Sequence, residues 1–272
     1  MPAIEPMNQF LIHKVVALPP VVIGGHAYDL SITNSVAMMF LAAFVICALL
    51  GAASKGALVP GRMQAVGENL FDLIDGTLVS PIIGHAGKPY IPFVFTIFML
   101  VLTMNLMGVV LGFGHVAGQD WTFTPTAQLA VTATLAVLTF VSVLVIGILK
   151  NGLGIYKLFV PSGMPFAMVL VMIPIELISF FVRPLTLAMR LFGNMLGGHV
   201  VMNIFASFVV ALGLLGLSGG IATLGLLGAA ASFSMVVALT VLELVVAGLQ
   251  AFVFAALATV YLNEVVNLGH GH

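Results

Sequence analysis

The chain has 272 residues, of which 61% are hydrophobic and only 6% charged, with a formal net charge of −1. Soluble domains carry roughly 25% charged residues, and a fold of this length with so few cannot hide its apolar surface and keep a wet exterior. The near-zero charge excludes nucleic acid as a partner, because releasing phosphate counterions needs a basic face, and the lone Cys47 cannot form an internal disulfide.

Taken in chain order, residues 1–34 form a mixed, partly amphipathic head containing Phe10, Leu11, His13, Lys14, Pro19 and Pro20. Residues 1–27 lack a basic stretch followed by an apolar core and a small-residue cleavage site, so the first span is expected to insert the protein by itself. Apolar runs at 35–53, 92–113 and 127–149 each exceed the roughly 18 residues needed to cross a hydrocarbon core. Residues 61–80 differ in texture. Met63, Val66, Leu70, Leu73, Ile74 and Leu78 recur at helical spacing, and Gln64, Glu68, Asp72 and Asp75 take other faces. Such a segment is too polar to span and reads as a helix lying on the membrane surface.

The second and third spans are separated by a loop at 114–125 with Asp120 and Trp121, and residues 150–161 form another polar connection. From Pro165 to Tyr261 the chain is almost wholly apolar, broken most clearly at Ser218-Gly219-Gly220. The expected fold class is an all-α polytopic membrane protein in a single domain. It comprises an external head (1–34), a first span (35–54), an interfacial helix (61–80), a helical hairpin (92–149) and a pair of long helices (164–265). With the head outside, Lys55, Arg62, Lys88, Lys150 and Lys157 fall on the cytoplasmic side, and only Lys14 lies in an external segment. That follows the positive-inside bias and leaves His270 and His272 inside.

Five ionisable or titratable groups interrupt the last apolar region: Glu176, Arg183, Arg190, His199 and Glu243. A charge near a bilayer centre costs at least about 2.5–3.5 kcal/mol, so each should face a partner, a bundle interior or a water-filled cavity. Glu176, Arg183 and Arg190 are spaced by seven, close to two helical turns, and Asn194 shares their face; His199 is about half a turn out of phase. Glu243, Gln250 and Tyr261 share one face of the following segment. Folding the numbering about Gly219-Gly220 sets Arg190 opposite a position near Gln250, His199 near Glu243, and Glu176 near Glu264. Plainer readings stand beside these. Arg183 can snorkel to the interface, Glu176 can simply neutralise it, and a lone His199 can be a packed residue. Gly193, Gly197 and Gly198 suit close helix packing as well as the approach of a partner helix.

The stretch Arg190-Leu-Phe-Gly-Asn-Met, preceded by Pro184-Leu-Thr-Leu-Ala-Met and followed by Gly197-Gly-His, resembles the signature of the a subunits of F-type ATP synthases. Leu249-Gln-Ala-Phe-Val-Phe-Ala-Ala-Leu-Ala-Thr-Val-Tyr-Leu is similar to the end of those subunits. Val59-Pro-Gly-Arg-Met-Gln-Ala-Val-Gly-Glu resembles their interfacial segment, and Thr124-Pro-Thr-Ala-Gln-Leu-Ala-Val-Thr their third span.

The resemblance implies a stator set against a rotating ring of c subunits (the c-ring) in a lipid bilayer, the inner membrane of a bacterium, and tied to b-type subunits of a peripheral stalk. Two offset half-channels would carry protons to and from the ring's carboxylates. It implies that Arg190 is the essential arginine and Gln250 its polar partner, with His199 and Glu243 as a proton-handling pair on the external side. Some relatives carry the acid on the first long helix and the imidazole on the second; here the order is reversed. Glu176, Ser179 and Tyr261 match positions on the cytoplasmic exit side, and Asn105 and Gln128 positions lining the external channel. The last two helices are expected to be long and steeply tilted, where hydropathy alone would divide 165–217 in two. No cofactor is implied, and no glycine-rich loop ending in Lys-Ser/Thr marks a nucleotide site. A secondary transporter would show two matching halves, and no such repeat is visible. A purely structural anchor would not need buried Arg190, Glu243 and His199.

Overall fold

In the computed structural model the described residues are 14–16, 21–23, 26–28, 31–54, 59–111, 125–152, 154–155, 166–217 and 223–268. The loop expected at 114–125 falls almost entirely outside them, as do the break at Ser218-Gly219-Gly220, Lys55, Lys157, His270 and His272. Among the described residues there are seven α-helices: α1 (Asn34–Ala53), α2 (Arg62–Ile74), α3 (Ser80–Ile82), α4 (Ile91–Leu111), α5 (Leu129–Asn151), α6 (Phe166–Leu217) and α7 (Leu224–Val266). Helix is the form that satisfies every backbone N–H and C=O within one segment, which hydrocarbon demands. Hydroxyls follow the same rule: Thr96, Thr134, Thr139, Ser142, Ser234, Thr240 and Thr259 each donate to the carbonyl four residues back. Among the described residues five helices are long and apolar enough to cross a membrane, so this is an all-α multi-pass membrane protein.

The head adds a feature with no sequence signal. Strands β1 (Lys14–Val16) and β4 (Ile32–Thr33) pair antiparallel, as do β2 (Val21–Ile23) and β3 (His26–Tyr28), the latter with Val21 opposite Tyr28. Two or three residues are too few to display a period of two.

The amphipathic stretch is also more articulated than a single helix. After α2, residues Asp75–Val79 widen into a π-turn, with the Ser80 N–H donating to the Asp75 carbonyl, and Gly84–Tyr90 tightens into a 3-10 helix. Gly84 has φ +75°, a left-handed conformation that turns the chain at little cost because glycine has no Cβ.

Hydropathy divides 165–217, yet α6 runs unbroken for 52 residues through Pro174 and Pro184. Each proline leaves the carbonyl four residues earlier without its helical donor, a loss the rest of the helix outweighs. At 1.5 Å per residue, α6 is about 78 Å long and α7, with 43 residues, about 65 Å. A bilayer is about 40–45 Å thick including its headgroup regions, so helices of this length must incline steeply or bend to lie within it.

The chain divides into two compact units. The first contains Met1–Leu41, Met104–Gln128 and Leu191–Leu249. Its core is Val109, Ala127, Met195 and Ala247, with Leu106 packed against them. The end of α6 and the start of α7 nearly touch, since a Cβ at Gly225 would stand 2.7 Å from the Leu212 carbonyl oxygen.

The second unit contains Ala42–Thr103, Leu129–Arg190 and Gln250–His272. Within it α1 and α2 pass closely: a Cβ at Gly67 would lie 2.8 Å from that of Ala53. The rings of Phe71 and Phe95 meet edge-to-face at 5.7 Å, and those of Phe140 and Phe180 at 4.5 Å. The final turns of α7 are held on two sides. Asn151 donates to the Val265 carbonyl at 2.6 Å, and Asn267 donates to the Ile83 carbonyl at 3.3 Å.

Candidate functional site

In the first unit, α6 and α7 bring His199 and Glu243 together, with Nδ1 of the imidazole 3.6 Å from Oε1 of the carboxylate. Their side chains are only 7% and 6% exposed, so the pair is shielded from bulk solvent. A gap of 3.6 Å is ion-pair range and too long for a hydrogen bond. Neither Glu243 oxygen has a hydrogen-bond partner among the described residues. A buried carboxylate in that condition must have its charge met by a proton, a water or the neighbouring imidazole.

The backbone is cut to admit it. A Cβ at Gly198 would lie 2.7 Å from Glu243 Oε1, so the glycine leaves the space that the carboxylate occupies against α6. One turn along α7, Asn105 of α4 donates through Nδ2 to the Ala247 carbonyl at 3.2 Å, and its Oδ1, fully buried, has no hydrogen-bond partner. At the start of α5, Gln128 accepts at 2.9 Å from the hydroxyl of Ser35, the second residue of α1. Between these positions in sequence, Thr126 is completely buried and its hydroxyl lacks a hydrogen-bond partner among the described residues. Six polar side chains stand in this apolar unit, with Glu243, Asn105 and Thr126 incompletely hydrogen-bonded among the described residues, a polar interior that apolar packing alone would not produce.

In the second unit the ionic chemistry differs. Arg183 of α6 stands between Glu264 of α7, to which Nη1 donates, and Glu176 of α6, whose Oε1 is 3.2 Å from Nη2. Its guanidinium lies 5.1 Å from the ring centroid of Tyr261, within cation–π range. The three charged side chains are 21%, 28% and 33% exposed, half-open where the first pair is closed. Phe140, Val143, Leu144, Phe180 and Val265 line the cavity that Arg183, Tyr261 and Glu264 share.

Arg190, Ser179 and Asn194 are exposed, and Gln250 is half-buried on α7. Arg190 makes no hydrogen bond or ion pair with another described residue. The face of α6 around it is bare: Gly193, Asn194 and Gly197 are exposed, and a Cβ at either glycine would meet nothing within 4 Å. Of the predicted site residues, the structure thus joins His199 to Glu243 and brings Glu176 and Tyr261 onto Arg183. It leaves Arg190, Asn194 and Ser179 open. Arg183, Glu264, Ser35 and Gly198 are the contacts that the predicted set of site residues omits. The first two carried a signal, the seven-residue step from Glu176 and the fold-back of the numbering. Ser35 carried none, because its partner is 93 residues away.

Long apolar helices that enclose an acid, an imidazole and amides define a multi-pass membrane protein with an ionisable interior, the architecture of an ion-translocating subunit. The family model for the ATP synthase A chain matches residues 36–263. The chain is 45% identical over 271 residues to the ATP synthase subunit a of Allorhizobium ampelinum, covering 98% of this chain and 99% of that one. It is 41% identical over 268 residues to that of Rhodopseudomonas palustris strain HaA2, and 41% over 270 residues to that of Hyphomonas neptunium. Those alignments cover 98% of this chain in each case, with 100% and 98% of the respective relatives. The chain belongs to the ATP synthase subunit a family, the proton-translocating stator subunits of that complex's membrane sector. It therefore works as one subunit of a larger assembly.

Proposed function

We propose that this subunit carries protons through two offset half-channels to and from carboxylates on a ring of c subunits, with Arg190 as the barrier between them. Arg190 carries the reading: it is a permanent charge on an apolar helix, exposed and without a hydrogen bond or ion pair to another described residue, beside glycines that leave room for another helix. A guanidinium stays protonated at any physiological pH, so it cannot pass protons along. It favours the ionised form of an arriving ring carboxylate and helps expel the proton held there. The same charge opposes a direct leak from one half-channel to the other.

His199 and Glu243 relay protons on the external side, where the imidazole Nδ1 stands 3.6 Å from the carboxylate and both groups can take up and release a proton. Asn105 and Gln128 line the approach. Gln250 faces Arg190 as its polar partner, Asn194 completes the Arg190 face, and Glu176, Ser179 and Tyr261 serve the cytoplasmic exit. The head lies outside and the C-terminus in the cytoplasm of a bacterial inner membrane, in keeping with where the basic residues fall. The peripheral stalk's b-type subunits hold the stator still. Nucleotide chemistry takes place on other subunits, and this chain is not catalytic alone. The electrical part of the driving force is roughly 2.3 kcal/mol per charge per 100 mV.

ATP-driven proton pumping by the assembled complex in inverted membrane vesicles tests the assignment. Arg190→Ala abolishes pumping, and Arg190→Lys impairs it severely because an ammonium lacks the planar, weakly hydrated fork. Full pumping by either variant rejects the role given to Arg190.

A further inference from the structure

The Arg183 cluster has a charge count that the proton path above leaves unused. Two carboxylates, Glu176 and Glu264, share one guanidinium, and the three together carry a net charge of −1 when ionised. They come from both long helices, Glu176 and Arg183 from α6 and Glu264 from α7, so the cluster spans the helix pair. Tyr261 lies against the guanidinium and within electrostatic reach of Glu264 and Arg190. From α5 the cavity receives only Phe140, Val143 and Leu144, so nothing on that wall adds a charge.

The two contacts differ. The Glu264 contact is the closer one, through Nη1, whereas Glu176 meets Nη2 at 3.2 Å with side chains that remain partly open. One guanidinium can fully compensate one carboxylate, which leaves the second with its charge only partly met. A carboxylate in that state can accept a proton arriving along the helix and return it to water. No bond other than O–H forms or breaks, and the guanidinium keeps its own protons throughout.

We propose that Arg183 is a positioning residue of the cytoplasmic proton exit, holding Glu176 and Glu264 as a shared pair with one net negative charge. What the exit requires is that single uncompensated charge, beyond the mechanical tie between α6 and α7. This inference rests on the proton-path reading above, and the experiment separates the two.

ATP synthesis driven by a proton-motive force is measured in vesicles carrying the assembled complex with Arg183→Gln, Glu264→Gln, or both. Arg183→Gln leaves a net charge of −2 and Glu264→Gln leaves 0. Each lowers the synthesis rate by about fivefold or more, the size of a coupling within one charge network. The double variant returns the net charge to −1 and recovers most of the lost rate, although it has no ion pair to Glu264. Arg183→Lys, which keeps the charge, retains more activity than Arg183→Gln.

Wild-type rates in Arg183→Gln overturn the proposal. So does a double variant no better than Arg183→Gln in assembled complexes, because that is the behaviour of a mechanical clamp. Should Arg183→Gln fail to assemble, Glu264→Gln and Glu264→Asp decide together: a lowered rate in the first with a near wild-type rate in the charge-keeping second supports the charge count, and a wild-type rate in the first or equal losses in both reject it. Arg190→Ala is the parallel control. If it still supports proton-driven synthesis, the proton-path reading itself fails; if it blocks synthesis while the Arg183 series behaves as wild type, only the Arg183 inference falls.

Discussion

The molecule handles ionisable groups in two opposite ways. His199 and Glu243 are almost fully enclosed, stand 3.6 Å apart, and leave both carboxylate oxygens without a hydrogen bond. Arg183, Glu176 and Glu264 are half-open, directly bonded and joined to an aromatic face. Burial without hydrogen bonds is expensive, so it persists where the group must change its protonation state. Half-exposed, well-bonded charges cost little to keep, and Arg183 supplies the one that stays fixed. As proposed above, the first site is an enclosed relay and the second an open exit whose charge balance Arg183 sets.

Substitutions that strike the first site should therefore have the larger effects. Glu243→Gln removes the titrating acid at nearly constant shape, and proton flux in vesicles falls by on the order of a hundredfold, as for loss of a positioned proton-transfer group. Unchanged flux would make the pair structural and erase the contrast between the sites. Next in size is Gly198→Ala, whose Cβ would intrude to 2.7 Å from Glu243 Oε1. The carboxylate is the far end of a flexible side chain and can move aside, so thermal stability should change by less than about 1 kcal/mol, while the displaced carboxylate lowers flux several-fold. The control is Gly51→Ala on α1, where an added Cβ meets nothing within 4 Å. Gly51 lies in the last turn of α1, so the exchange should leave flux intact and stabilise by at most about 0.5 kcal/mol, less than a glycine exchanged in mid-helix.

Smaller again is Asn105→Leu. It deletes one donor to the Ala247 carbonyl and should destabilise by about 1 kcal/mol, with a partial fall in flux if Asn105 also lines the approach. The least is Ser35→Ala. It removes the Ser35 hydroxyl's hydrogen bond to Gln128 and should cost about 0.5–1.5 kcal/mol by thermal unfolding of the complex, with flux nearly unchanged.

Much of the relay site was legible because apolar sequence leaves polar residues nowhere to hide. With lipid on the outside of a helix pair, His199 and Glu243 had to face inward, and folding the numbering about the glycines put them together. The Glu176–Glu264 proximity came from the same step. Its chemistry did not, because spacing alone could not say whether Arg183 snorkels outward or turns in between the two acids. The continuous α6 lay beyond hydropathy: Pro174 and Pro184 mark breaks in most helices, and only the resemblance pointed to one long helix. Short strand pairings in the head and the π-turn at Asp75–Val79 were illegible, since neither spans enough residues to establish a period. Gly198 was noted as a packing glycine, but the atom that it makes room for sits 45 residues later and required coordinates.

The central claim is that the bare face of α6 around Arg190 meets the rotor. Disulfide cross-linking tests it most directly, after the exposed Cys47 is replaced by serine and single cysteines are placed through positions 189–195 opposite cysteines on the helices of the c-ring. The account predicts links at the exposed positions 189, 193 and 194 and none at the buried positions 191 and 195. No link at any position, or links as strong at 191 and 195 as at 193 and 194, would contradict it.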